Sequence, residues 1–393
     1  MEYDMKIYEI GTGYTPIPAA MGAATEIVVE GLTRSLRRQG ADVQILDIAA
    51  EKRAAHDLPI REVGVPRCFS GTDVKLGVMH KLKRVVYSLA LAGELKKILK
   101  QETEPVVLHF HNQYNLFFFL KLVSASLRKK ARIAYTVHSY IWPGEWEEIR
   151  DTIQKRYFQE VFCVQNADDV LVLNEKTAEH FTTHLGVRED AIKRIDNGVN
   201  TDVYHILDQV EIGKAKEALG LKDRRIILQV GSVCDRKNQL GALRELAPYL
   251  KEHPDVTFVY AGGIIDPEYQ DSISRFAAEH QIGQQVVYAG ELRPGEELNL
   301  YYNIADVTVF PSKIESFGLV ILESISCGTP VIVQNKPPFE LENGCIVCSG
   351  EGDFLRNVER LLQQPGADQI AREEVVERYG WDKIARDHME IWN

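Results

Sequence analysis

The chain has 393 residues, of which 45% are hydrophobic and 26% charged, and these values indicate a globular protein of two domains rather than a disordered or fibrous one. The net charge of −11, without a recognisable binding module, argues against nucleic acid as a partner. Because the start of the chain lacks a secretion signal and no segment reaches the roughly 20 apolar residues of a membrane span, we expect a cytoplasmic protein.

The first half of the chain alternates predicted strands and helices. KIYEI is a short apolar strand, a loop rich in glycine and alanine follows, and Ile27, Val28, Leu32 and Leu36 then recur at helical spacing. Further predicted strands are DVQILDI, PVVLHFH, RIAYTVHSY and DDVLVLN. This order of strand, loop, helix and strand is typical of a parallel α/β domain.

The second half repeats the pattern with the strands RRIILQVGS, VTFVYAGG, QVVYAGE, DVTVFPS and TPVIVQN. In such sheets ligands bind at the carboxyl ends of the strands. We therefore predict an α/β protein with two facing Rossmann-like domains, residues 1–204 and 205–379, and an active-site cleft between them. The helical end, 380–393, is expected to pack back on the first domain.

Residues 75–132 concentrate positive charge, with 12 basic and 3 acidic side chains. One interpretation is a set of solvated helix faces. The other is a basic, partly apolar surface that makes peripheral contact with an anionic membrane or an anionic acceptor. The six cysteines are scattered through the chain, which favours reduced thiols, and the single pair Cys345 and Cys348 does not complete a zinc site.

Residues 311–335, PSKIESFGLVILESISCGTPVIVQN, are the most informative segment. The pattern predicts a strand that ends at Pro311 and a helix that begins near Ser316 and ends before Gly328. Free amides at a helix N-terminus suit a diphosphate. In this helix they would belong to Phe317, Gly318, Leu319 and Val320.

Two glutamates eight positions apart flank the predicted helix start. Glu315 precedes the helix and is suited to sugar hydroxyls, while Glu323, on the helix, is suited to the paired hydroxyls of a ribose. Arg236 and Lys237 follow a strand and could stabilise a departing diphosphate. The alternatives are a helix-start acid, a solvated glutamate and two ordinary surface cations.

Three histidines lie near strand ends. His109 and His111 share one face of PVVLHFH, but no third ligand is spaced to join them, so we prefer a polar lining or a structural role to a metal site. His138 closes RIAYTVH. The sequence also lacks the Asp-x-Asp arrangement that holds a metal ion on a diphosphate. We therefore predict no metal and no other cofactor.

Taken together, these segments resemble the family-4 retaining glycosyltransferases of the GT-B fold, whose signature is E-x7-E. The resemblance covers nearly the whole chain: PIPAAMGAATE is similar to the glycine-rich loop, HFHNQY and TVHSY to acceptor-side strands, and RIDNGVNTDVY to the NGVD-x3-F element. ILQVGSVCDRKNQ, CGTPVI and YGWDKIA also match. The usual Gly-Gly pair is reduced here to Gly22 and Ala23, and Ser232 stands where many relatives have arginine.

The resemblance implies a metal-independent enzyme that moves a sugar from a nucleoside diphosphate, preferably UDP, to a hydroxyl of a glycan, lipid-linked or small-molecule acceptor, with retention of configuration. It assigns the transferred sugar to Glu315, the ribose to Glu323 and the leaving diphosphate to Lys237. Because Ser232 replaces the family arginine, we expect Arg236 to substitute for the missing charge. The resemblance also places Gly22 and Ser232 at the donor, His138 near the anomeric carbon, and His109, His111 and Asn112 on the acceptor side.

Other functions stay open. They are a nucleotide-sugar 2-epimerase of the same architecture, a sugar phosphorylase that uses pyridoxal phosphate, and a catalytically silent nucleotide-sugar-binding protein. A dinucleotide oxidoreductase is disfavoured because neither glycine loop completes a G-x-G-x-x-G.

Overall fold

A computed structural model describes residues 5–18, 24–51, 53–69, 78–138, 145–364 and 366–393. The chain forms two compact units, Met1–Gly198 with Trp381–Asn393, and Val199–Gly380. The second unit is one continuous segment of sequence, whereas the first contains the two ends of the chain. None of the helices within the described ranges has the length and apolarity that a membrane crossing requires.

The strands of the described residues, in chain order, are β1 (Lys6–Ile10), β2 (Val43–Ile48), β3 (Ile60–Val63), β4 (Val106–Phe110), β5 (Ala131–Val137), β6 (Asp169–Val172), β7 (Ile192–Arg194), β8 (Arg225–Val230), β9 (Val256–Ala261), β10 (Val286–Tyr288), β11 (Val307–Phe310), β12 (Val331–Val333) and β13 (Cys345–Val347). β1 to β7 belong to the first unit and β8 to β13 to the second.

The α-helices of the same residues are α1 (Ala24–Arg38), α2 (Val78–Gln101), α3 (Gln113–Leu122), α4 (Ala125–Arg128), α5 (Trp146–Arg156), α6 (Phe158–Asn166), α7 (Glu175–Leu185), α8 (Gln209–Ala218), α9 (Gln239–Glu252), α10 (Pro267–Glu279), α11 (Glu296–Ile304), α12 (Leu319–Ser326), α13 (Asp353–Gln363), α14 (Gln369–Tyr379) and α15 (Trp381–Trp392).

Both units have the same strand order. The first sheet runs β3-β2-β1-β4-β5-β6-β7 and the second β10-β9-β8-β11-β12-β13, and every pair of neighbouring strands is parallel. In each sheet the first strand lies in the interior, with the second and third strands on one side and the later strands on the other, which is the order of a Rossmann fold. The prediction of two Rossmann-like parallel α/β sheets is therefore confirmed.

The central strands form because they are apolar along their whole length. All five residues of β4 and all six of β9 are buried, as expected for parallel strands covered by helices on two faces. The sequence patterns did not reveal β3 and β7, which are edge strands of four and three residues with exposed positions. Their short, partly polar segments resemble loops.

The C-terminal segment REEVVERYGWDKIARDHMEIW forms two helices, whereas its sequence pattern suggests a single helical run. Gly380 separates α14 from α15 with an extended backbone. α15 packs against α1 of the first unit, where Trp381 lies over Gly31 and Gly198. The Asp382 carboxylate also accepts a 2.7 Å hydrogen bond from Arg38. The last helix is therefore part of the first unit.

Candidate functional site

In each unit the strand order changes direction beside the first strand, between β1 and β4 and between β8 and β11. The carboxyl ends of strands at such a switch point leave a crevice in which Rossmann-like sheets bind ligands. The loops that follow these four strands contain most of the site residues predicted from the sequence. Gly22 belongs to the segment after β1 but lies outside the described residues.

The loops after β8 and β11 are tied together in the second unit. The Lys313 backbone N–H donates to the Arg236 carbonyl over 2.9 Å, and the Lys313 ammonium pairs with Asp235 at 2.7 Å. The Asn238 side chain donates to the Pro311 carbonyl over 3.3 Å. These contacts fix the segment of Arg236 and Lys237 against the segment of Glu315.

Glu315 forms the centre of a charged cluster. Its Oε1 lies 2.6 Å from the Lys237 ammonium and 2.8 Å from Arg236 Nη1. The Glu315 side chain is 18% exposed, so the cluster is accessible but partly shielded from water. The Lys237 ammonium also lies 5.1 Å from the centroid of the Phe310 ring. The structure thus brings together the carboxylate and the two cations that the sequence placed 78 positions or more apart.

Helix α12 begins three residues later than the sequence pattern predicts. It starts at Leu319, with Gly318 as its N-cap in the left-handed region at φ 97°. Phe317 is buried against Phe339, with a ring distance of 4.9 Å, and is not part of the helix. Glycine at position 318 is explained by this backbone conformation, which costs other residues more. The first-turn amides are consequently those of Leu319 and Val320.

Glu323 is a buried acid, and the alternative of a solvated charge on α12 is wrong. Its side chain accepts a 2.8 Å hydrogen bond from the Tyr302 hydroxyl, and the residue is 9% exposed. Burial raises the pKa of Glu323 to about 7, although hydrogen bonds from Tyr302 and Tyr204 oppose this rise. Ser232 is half-buried, and its carbonyl accepts a hydrogen bond from Gln239 over 3.0 Å.

The first unit contains a buried carboxylate that the sequence patterns did not reveal. Glu9 in β1 accepts hydrogen bonds from His109 Nδ1 at 3.0 Å and from His111 Nε2 at 2.7 Å. The expectation that no third group joins the two histidines is therefore wrong. The signal was one acidic residue inside the apolar strand KIYEI, and the register of β1 with β4 pairs Glu9 directly with His109.

The same network extends to His138. His111 Nδ1 lies 2.9 Å from His138 Nε2, and His109 Nε2 lies 2.7 Å from the Thr136 hydroxyl. Burial and neighbouring His109 lower the pKa of His111 to about 4, and burial with His111 lowers the pKa of His138 well below its usual range. The three predicted histidines therefore lie together, with His109 fully buried.

Asn112 has a defined structural role. Its side-chain oxygen caps α3 by accepting the amides of Tyr114 at 2.9 Å and Asn115 at 3.4 Å, and its amide nitrogen donates to the Tyr14 hydroxyl at 2.6 Å. Such a cap satisfies free donors at a helix start. The assignment of Asn112 to an acceptor stays a prediction.

Comparisons with known proteins identify the family. Residues 25–203 match the family described as Glycosyltransferase Family 4, and residues 211–372 match Glycosyl transferases group 1. A D-inositol 3-phosphate glycosyltransferase of Acidothermus cellulolyticus is 32% identical over 324 residues, which cover 78% of this chain and 69% of that protein. The chain belongs to the family-4 glycosyltransferases.

Further proteins are similar over almost the whole chain. An uncharacterised glycosyltransferase of Methanocaldococcus jannaschii is 25% identical over 406 residues, covering 99% of this chain and 98% of the relative. Sucrose-phosphate synthase of Thermosynechococcus elongatus has a TM-score of 0.73 at 22% identity, with 99% and 98% of the two chains covered. Anabaena HepE, solved with UDP-glucose, has a TM-score of 0.70 at 16% identity, with 99% of each chain covered. These structural similarities confirm the GT-B fold of this family-4 glycosyltransferase.

Proposed function

We propose that this family-4 glycosyltransferase transfers a sugar from a nucleoside diphosphate, with UDP preferred, to an acceptor hydroxyl with retention and without a metal ion. The observation that carries the proposal is the cluster of Glu315 with Arg236 and Lys237. Two cations beside one carboxylate match a donor that has an anionic diphosphate next to a hydroxylated sugar.

The chemistry assigned to this cluster is electrostatic. When the bond between the anomeric carbon and the diphosphate oxygen breaks, negative charge grows on the leaving diphosphate, and fixed donors such as Arg236 and Lys237 stabilise it. Binding of the diphosphate to these cations frees Glu315 to accept hydrogen bonds from the sugar. The acceptor oxygen bonds to the anomeric carbon on the face from which the diphosphate leaves. The proton of the acceptor hydroxyl passes to the leaving phosphate oxygen.

The preference for UDP is supported by one solved relative of the same fold. HepE was crystallised with UDP, with UDP and glucose, and with UDP-glucose. Starch synthase IV of Arabidopsis thaliana was crystallised with ADP and acarbose. The curated relative that acts on D-inositol 3-phosphate supports a small polar acceptor, while a phosphatidylinositol monomannoside mannosyltransferase supports a lipid acceptor.

The decisive experiment is a transfer assay combined with thermal unfolding. We expect UDP, but not NAD, to raise the unfolding temperature, since a ligand at ~100 times its dissociation constant stabilises by about 2.7 kcal/mol. EDTA should leave the shift and the turnover unchanged. Loss of both on adding EDTA would contradict the metal-free mechanism, and release of an epimerised donor without any acceptor would favour the epimerase.

Glu315→Gln should lower turnover by ~100-fold or more, because the amide replaces the carboxylate that holds the reacting sugar. The matched control is Glu340→Gln, which removes an exposed glutamate paired with Lys336 in the same unit. Transfer at an unchanged rate by Glu315→Gln would exclude the proposed role of Glu315.

A further inference from the structure

We infer that Glu9 is a positioning residue, which determines through His111 which ring nitrogen of His138 carries a proton. The role of His138 at the sugar rests on the proposed function. The hydrogen-bond pattern itself does not, because it follows from the contacts inside the first unit.

The Glu9 carboxylate determines which ring nitrogens of His109 and His111 carry protons. An ionised carboxylate only accepts hydrogen bonds. Glu9 is fully buried and faces one ring nitrogen of His109 at 3.0 Å and one of His111 at 2.7 Å. Both facing nitrogens, Nδ1 of His109 and Nε2 of His111, must therefore carry protons.

The position of the proton on His111 in turn determines the position of the proton on His138. A neutral imidazole has one N–H and one acceptor nitrogen. With its proton on Nε2, His111 can only accept at Nδ1, which lies 2.9 Å from His138 Nε2. His138 must then donate from Nε2, and its own Nδ1 is left as an acceptor. Under the proposed function, that acceptor receives a hydrogen bond from a hydroxyl of the transferred sugar.

Packing keeps the rings in this arrangement. His109 contacts the rings of His388 and Trp392 on α15 at centroid distances of 5.6 and 5.2 Å, and His388 Nδ1 bonds to the Ile384 carbonyl over 2.7 Å. The Thr136 hydroxyl hydrogen-bonds to Nε2 of His109, the ring nitrogen that does not face Glu9. Rotation of the His109 ring or the His111 ring would break a hydrogen bond at both nitrogens of that ring, at a cost typical of buried polar groups.

A metal ion is the competing explanation for the same residues. The potential ligand atoms of Glu9, His109 and His111 all lie within 4.8 Å of one another. We favour the hydrogen-bonded chain because each of these atoms has a partner in a single consistent proton arrangement.

The test uses two variants of the full chain with ¹⁵N-labelled histidine. Glu9→Leu removes the acceptor of both rings, and Glu9→Gln offers one acceptor and one donor, so at least one of His109 and His111 must change its protonated nitrogen. NMR correlations of the ring nitrogens report the protonated site directly, and His138→Phe identifies the His138 signals. The control is Glu160→Gln, a buried glutamate that contacts Tyr135 on the next strand.

We expect the wild-type His138 ring to be protonated at Nε2, and to become mixed or reversed in Glu9→Leu. The kcat should fall by about 10- to 100-fold in every variant whose His138 pattern changes, because a misdirected group at the reacting centre costs about this much. The thermal shift with UDP should be unchanged, and Glu160→Gln should alter neither kcat nor the His138 signals. If Glu9→Gln changes the protonated nitrogen of His109 but not those of His111 and His138, the kcat should stay at the wild-type value.

Several results would overturn the inference. One is an unchanged His138 pattern in Glu9→Leu, and another is a changed pattern with full activity. Another is a stoichiometric metal ion in the purified protein whose removal by a chelator also changes the NMR signals of the histidine rings. This result would mean that Glu9, His109 and His111 form a metal site instead. If no sugar transfer is found at all, the proposed function fails while the NMR result still decides the proton arrangement.

Discussion

Several buried acids of this protein have unusual titration behaviour. Burial raises the pKa of Glu26, Glu160 and Glu323 to about 7 in each case. Each hydrogen-bonds to one or two hydroxyl groups and has no cation among the causes of its shift, so the neutral form is favoured inside the protein. Their ionisation must therefore oppose folding at alkaline pH.

Glu160→Gln should stabilise the protein near pH 8 and have little effect near pH 5. The folded pKa of about 7 exceeds the ordinary value of 4.5, so stability from the protonated acid is fully present below about 4.5 and is lost as the pH rises through 7. Gln cannot ionise, and the gain should reach at most ~3 kcal/mol. Urea unfolding at the two pH values measures it. Equal effects at both would show that Glu160 is already ionised in the folded protein.

Glu315→Gln should also bind free UDP more tightly than the wild-type protein. The carboxylate is paired with Arg236 and Lys237, and a diphosphate must displace it from them. A partly exposed ion pair contributes about 1 kcal/mol at most, so we expect the dissociation constant for UDP to fall roughly two- to fivefold. Calorimetric titration with UDP measures the change. Weaker binding by Glu315→Gln would mean that the pair orders the cations for the diphosphate.

Glu315, Arg236 and Lys237 were each singled out from the sequence, by their positions after predicted strands and by the family resemblance, and the structure adds that β8 and β11 are neighbours in one sheet. Glu9 could not be found in this way. Its partners lie in β4 and directly after it, about a hundred positions later, and only the register of β1 with β4 brings them together. The burial of Glu323 was missed for the same reason, because its partner Tyr302 belongs to another helix.

At the scale of elements, the docking of α15 on α1 depends on small residues. A Cβ added at Gly31 would lie 2.2 Å from the Trp381 indole, and one at Gly198 would lie 2.4 Å from the same ring. The sequence predicted that this end of the chain is helical, but it did not reveal the break at Gly380. The two short edge strands were also missed, because they lack a long apolar run.

Gly31→Ala and Gly93→Ala form a matched pair of helix substitutions. Gly31→Ala should destabilise the first unit by ~1–3 kcal/mol, because the added methyl group displaces buried Trp381. A Cβ at the exposed position Gly93 of α2 meets nothing within 4 Å, so Gly93→Ala should stabilise by up to about 1 kcal/mol. Urea unfolding of the two variants compares them. Equal stabilities would show that α15 adjusts without loss.

At the scale of the whole molecule, the two units differ in charge. The first has 29 basic and 29 acidic side chains, and the second has 17 and 28, so the second contains the whole net charge of −11. In the first unit, α2 has an exposed stripe in which Leu82 and Leu89, 45% and 44% exposed, precede Lys96 and Lys100. We propose that this α2 stripe contacts an anionic membrane surface, as apolar side chains beside lysines favour. The part of the basic segment before residue 78 lies outside the described residues.

The protein should co-sediment with phosphatidylglycerol vesicles but not with phosphatidylcholine vesicles. Leu82→Glu combined with Leu89→Glu should abolish this binding, and high salt should weaken it by screening the lysines. Ile370→Glu is the control, since Ile370 is 68% exposed on α14 of the acidic unit. Equal binding by the Leu82, Leu89 variant and the wild type would assign α2 to an ordinary solvated face.

The ion pairs of Glu315 have a consequence for the end of the catalytic cycle. Once the sugar has moved to its acceptor, the spent nucleoside diphosphate still holds Arg236 and Lys237, but Glu315 no longer has a sugar to bind. The carboxylate is then a competitor for the same two cations at a distance of less than 3 Å. Under the proposed function, Glu315 therefore promotes product release, and turnover ends with the cluster in the arrangement in which it began.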